Sequence, residues 1–105
     1  MASPPPFSVR YASIAETQID AALLWWQANR PKAAGLLARE IDQALDQLAL
    51  VPRAGRRVHL RGHSNVRRLL LRVSSYHLYY AIDREAREVQ IVYFRHARRG
   101  PLGAR

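Results

Sequence analysis

The stretch VRRLLLRVSSYHLYYAIDREAREVQIVYFRH, residues 66–96, decides the fold. From Val66 to Val73 it places Arg67, Leu69, Leu71 and Val73 on one side and Val66, Arg68, Leu70 and Arg72 on the other, the two-residue period of a strand. Ser74-Ser75 turns the chain, and Tyr76, Leu78, Tyr80 and Ile82 then alternate with His77, Tyr79, Ala81 and Asp83. The polar segment DREARE, residues 83–88, is a hairpin loop before a third run from Val89 to His96. Three consecutive antiparallel strands are expected, with Leu69, Leu71, Leu78 and Tyr80 toward a core.

Working outward, Phe7, Val9 and Tyr11 alternate with Ser8 and Arg10 as a short first strand. Ser13-Ile14-Ala15-Glu16 has the form of a capping box, which starts a helix over 13–29. Its apolar stripe is Ala15, Ile19, Ala22, Leu23 and Trp26. Pro31 suits the first turn of a second helix, over 31–50, whose stripe is Leu37, Ile41, Ala44, Leu45 and Leu48. So short a connection makes the two helices an antiparallel hairpin. Residues 52–65 read as a loop with a short extended piece at Arg56 to Leu60. The expected architecture is an α+β domain: a short N-terminal strand, a helical hairpin, and a three-stranded meander packed on the helices.

One domain accounts for the 105 residues: a proline-rich lead-in over 1–6, the domain over 7–99, and a basic tail over 100–105. With no cysteine, neither a disulfide nor a thiolate metal site holds it together. No signal-like N-terminus and no apolar run near the roughly 20 residues of a membrane span is present, so the cytoplasm is the expected location. Residues 1–50 carry net charge −1 and residues 51–105 carry +10. That field favours a polyanion or an acidic protein partner. Sixteen of the seventeen basic residues are arginine, whose fork suits carboxylate or phosphate.

Individual residues are weighed against blander roles. His77 and His96 form an acid/base pair if their strands are neighbours; otherwise each is a surface or sheet-edge histidine. His59 and His63 have a helical metal-ligand spacing, but they sit in a loop-like segment with Gly62, so no metal is expected. Trp26 and Tyr80 fall on core faces, whereas Trp25 and Tyr79 are candidates for an exposed patch that stacks on bases. Val66 and Leu70 form an apolar strip beside Arg68 and Arg72, which suits a docking peptide.

The segments ALDQLALVPRAGR, VRRLLL, YHLYYAID and VQIVYFRHARR, in this order from Phe7 to about Arg99, resemble the RelE/ParE superfamily of toxins from bacterial type II toxin-antitoxin modules. The likeness is closer to ParE, through Leu48 with Pro52, Gly55 with Arg56, Arg67 with Arg68, and His96 with Arg99. That resemblance implies a toxin that inhibits DNA gyrase by stabilising its DNA cleavage complex. It further implies a cognate ParD-like antitoxin, a hetero-oligomer with it, and no cofactor. Arg67, Arg68, Leu70, Arg72, Arg95, Arg98 and Arg99 are the contact candidates.

The RelE branch instead cuts messenger RNA on the ribosome, which requires a base, an acid and cations around the scissile phosphate. Aligned through Tyr76, this chain has Leu70 at a RelE lysine position and His77 at an arginine position, and no tyrosine follows Tyr93. A RelE-type set is therefore incomplete. Were the chain a nuclease, His77, His96, Arg68 and Arg98 would have to replace it.

Overall fold

The computed structural model describes residues 4–99; the tail expected over 100–105 and the start of the proline-rich lead-in lie outside the described residues. The elements are β1 (Ser8–Tyr11), α1 (Ser13–Asn29), α2 (Leu36–Leu50), β2 (Arg56–Leu60), β3 (His63–Leu71), β4 (Tyr76–Asp83) and β5 (Glu88–His96). One sheet holds all five strands in the order β1-β5-β4-β3-β2. β1 runs parallel to β5, and the other pairs are antiparallel. The meander is as expected. The structure adds an edge strand on either side: the extended piece at Arg56 pairs with β3, and β1 pairs with β5.

α1 begins directly off β1, because the Ala12 amide still bonds to the Ile91 carbonyl (2.9 Å) while the Ala12 carbonyl already accepts from Glu16 (3.0 Å). Ser13 is thus inside the helix, and the expected Ser13–Glu16 capping box is not formed. The second helix starts five residues later than expected. Pro31–Ala33 forms a 3₁₀ turn, and the Trp26 indole takes the Ala33 carbonyl at 2.8 Å, a carbonyl that a continuous helix would use for itself. α2 then runs from Leu36 to Leu50, its Leu37, Ile41, Ala44 and Leu48 stripe buried.

The main core lies between this bent helix pair and one face of the sheet. Ala15, Ile19, Ala22 and Trp26 of α1 meet Leu71, Tyr76, Leu78, Tyr80, Val89, Ile91 and Phe94. Two expectations are corrected on the other face. Val66 and Tyr79, read as exposed, are buried at 1% and 0% exposure, in a second cluster with Leu60 and Val92. The β2–β3 hairpin brings Leu60 and Val58 to that face, and a bulge in β5 supplies Val92. Across the bulge Tyr79 pairs with Tyr93 but Tyr80 pairs with Ile91, so Val92 is the extra residue. The inserted residue lets Ile91 and Phe94 both join the helix-side core while Val92 and Tyr93 pack opposite. Val73, expected on the core side, is in the β3–β4 turn and exposed.

Among the described residues no helix is long and apolar enough to cross a membrane.

Candidate functional site

Pairing of β2 with β3 stops at Arg56 opposite Arg68, so Leu69–Leu71 continues past the end of β2 as a strand edge. α2 and the Pro52–Arg56 segment flank that edge, and the space between is a cleft of about 630 Å³. Arg56, Arg68, Leu70, Arg72 and His77 line it on the sheet side; Glu40, Gln43 and Gln47 line it from α2.

The wall at Pro52–Arg56 is held by two side chains of the sheet, Tyr80 and Arg67. The Tyr80 hydroxyl donates to the Pro52 carbonyl (2.7 Å) and accepts from the Gly55 amide (2.8 Å). The Arg67 guanidinium donates to the Gly55 carbonyl at 2.7 Å and, at longer range, to the Arg53 carbonyl. Gly55 sits so close to the sheet that a Cβ there would lie 2.7 Å from the Tyr80 hydroxyl and 2.8 Å from the Arg68 carbonyl oxygen. Glu40 is likewise committed: its carboxylate accepts from the amides of Val73 (2.8 Å) and Ser74 (3.0 Å), closing the β3–β4 turn. The cleft therefore presents arginines and one imidazole to solvent, while Glu40, the carboxylate among its described lining residues, is bonded to backbone.

His77 stands opposite Leu70 on β3 and opposite Arg95 on β5. Its Nδ1 is buried with no hydrogen-bond partner among the described residues. Burial, then the charges of Arg68 and His96, hold its pKa below the ordinary histidine value, so the imidazole is neutral near pH 7. His96 pairs instead with Tyr76, against which its ring packs edge-on at 5.0 Å, and its Nδ1 accepts from the Arg98 amide at 3.1 Å. Because Tyr76 is a helix-side residue, the register puts the two histidines of neighbouring strands on opposite faces.

The contact candidates thus divide. Arg68, Leu70 and Arg72 meet in the cleft with His77; Arg95 and Arg98 line a second groove beside α1. Arg67 points to the helix side, onto backbone carbonyls. Arg99 lies in the 3₁₀ turn Ala97–Arg99, and its side chain is outside the described structure. Sequence reasoning left out Arg56 as a cleft residue; its only signal was the Gly55-Arg56 pair. His59 and His63 fall on β2 and β3, both exposed, and among the described residues no three His, Asp or Glu side chains gather as a metal site. Chemically, the cleft can bind an anion flanked by an apolar group, and the strand edge offers backbone donors and acceptors to an extended peptide.

Residues 9–101 match the family described as the ParE toxin of the type II toxin-antitoxin system parDE. No curated protein matches the sequence. Among solved structures, the RelBE2 toxin-antitoxin complex of Mycobacterium tuberculosis contains a chain 24% identical, with a TM-score of 0.63 over 91% of this chain and 97% of that one. A chain of the chromosomal ParDE system of P. aeruginosa is 19% identical, with a TM-score of 0.66 over 86% and 95%. The E. coli RelBE complex gives 20% identity and a TM-score of 0.51 over 87% and 96%. At these identities the structural likenesses establish the shared fold.

Proposed function

The chain belongs to the ParE toxin family of type II toxin-antitoxin systems, and from that premise we propose that it acts by inhibiting DNA gyrase, trapping the enzyme's DNA cleavage complex through protein contact. A ParD-like antitoxin, acidic where it meets the arginine cleft, keeps it silent, and both act in the cytoplasm. The observation that carries this reading is the Leu70–His77 pair at the centre of the cleft. A RelE-like cleft would carry a lysine and an arginine there to hold the scissile phosphate, and here the same two places are apolar and neutral. The remaining arginines bind without supplying an acid or a base for hydrolysis.

The second reading, a ribosome-dependent endoribonuclease, draws on the same imidazole: His77 lines the cleft and is neutral near pH 7, as a general base requires. The two readings separate in a supercoiling assay with purified toxin, gyrase and ATP, scored for protein-linked linear DNA. Accumulated cleavage complex supports gyrase as target. Normal supercoiling at high toxin excess refutes it, and His77→Ala then becomes the variant to test in a ribosome-primed cleavage assay.

A further inference from the structure

The second groove is separate from the cleft. It lies between α1 and the end of β5, closed at one end by the β3–β4 turn, and encloses about 850 Å³. Trp25 stands at its rim with 49% of its surface exposed, and the Arg30 guanidinium lies 5.9 Å from the indole centroid. Arg98 lines the far side. Among the described residues lining the groove, none is Asp or Glu. Ser74, which also lines it, is 3% exposed, and its hydroxyl has no hydrogen-bond partner among the described residues.

We propose that this groove is a binding site for single-stranded nucleic acid, with Trp25 as the stacking platform, Arg30 and Arg98 along the phosphates, and the Ser74 hydroxyl satisfied by the ligand. The combination is the one that single strands need: an exposed aromatic ring for a base and cations for the backbone, with no Asp or Glu among the described lining residues. An amphipathic helix is the poorer fit. The groove's floor is Trp26, Tyr76 and Phe94, each already less than a tenth exposed, with the last two rings stacked at 4.8 Å. Little apolar surface is left there for a helix to cover, so the groove displays an indole and guanidinium groups.

The test is fluorescence anisotropy of labelled oligo(dT) titrated with the full chain at low salt, alongside quenching of intrinsic tryptophan emission. The site predicts saturable binding, quenching that is lost in Trp25→Phe while binding persists, and an affinity about tenfold or more weaker in Trp25→Ala. Inorganic polyphosphate of matched charge should displace the oligonucleotide poorly. Any of three results overturns the proposal: no binding at low salt, equal affinity in Trp25→Ala, or displacement by polyphosphate or polyglutamate as effective as by unlabelled oligo(dT). Denaturation midpoints of the variants are checked in parallel. Arg98→Ala, at an exposed position outside the core, supplies an independent loss of affinity should Trp25→Ala disturb α1.

Discussion

Tyr80 and Gly55 are joined at 2.8 Å, amide to hydroxyl, across 25 residues of sequence, and the same hydroxyl reaches the Pro52 carbonyl. A single side chain on β4 thereby fixes the turn that walls the cleft and sets where β2 begins. Tyr80→Phe keeps the ring packed but leaves the buried Gly55 amide without its acceptor. An unsatisfied buried donor costs about 1–3 kcal/mol. The expected result is a lower denaturation midpoint with an unchanged slope, and an unchanged midpoint would show that water replaces the hydroxyl.

Gly55→Ala strains the same contact from the other side. Its methyl meets the Arg68 carbonyl, which is part of the sheet and cannot swing away. Overpacking of this kind costs about 1–3 kcal/mol. Since the displaced group is β3 backbone, amide exchange at Arg68 and Leu69 should also quicken. Wild-type stability in this variant would mean that the turn moves as a unit.

Much of this frame was legible in the sequence, and the reasons for the rest are local. α1 fell on its expected residues, 13–29, because a periodic stripe running to Trp26 is followed within a turn and a half by Pro31. β4 did so because Tyr76 to Asp83 alternates without interruption between turn residues. The bulge at Val92 is a one-residue insertion into a run apolar at Val89, Ile91, Val92, Tyr93 and Phe94, where periodicity alone cannot place it. The burial of Tyr79 and Val66 is not legible because their neighbours Leu60 and Val58 come from residues 52–65, a segment whose four arginines and two glycines look like loop. The arginine cluster of the cleft was visible in composition. Arg67's inward role was not, since it depends on the Gly55 carbonyl returning to within 2.7 Å.

Arg67 and Arg68 are adjacent in sequence yet should behave oppositely. Arg67 bonds to the carbonyl of buried Gly55, so Arg67→Ala removes a charge-assisted bond and lowers stability by about 1.5–3 kcal/mol. Arg68 lines the cleft, and Arg68→Ala should leave the midpoint nearly unchanged while slowing association with an acidic antitoxin. That slowing should fade as salt is raised. Stopped-flow association rates beside equilibrium denaturation separate the two residues; a stability loss in Arg68→Ala matching that of Arg67→Ala would undo the division.

Glu40 reaches across from α2 to the amides of Val73 and Ser74. Glu40→Gln keeps one oxygen acceptor and loses the charge, so one of the two amides is left to water and the other bond weakens. A hydrogen bond to a charged group is worth about 1.5–3 kcal/mol, and part of that is expected to be lost because Val73 is exposed. Hydrogen exchange should accelerate at Val73 and Ser74 before the rest of β3, which would identify the turn as the element released.

His77 gives the fold an acid sensitivity whose sign follows from its surroundings. Burial, with the nearby charges of Arg68 and His96, lowers its folded pKa below the ordinary histidine value of 6.5, so the unfolded chain binds more protons than the folded one between the two values. This contribution is fully present above 6.5 and is lost as pH falls through that value toward the folded pKa. His77→Leu removes the titration and places a second apolar side chain opposite Leu70. Relative to wild type, the variant should therefore gain stability between pH 7.5 and pH 5 in urea titrations at several pH values. Parallel curves for the two proteins would mean that His77 titrates alike in both states, in conflict with its buried, unpartnered Nδ1.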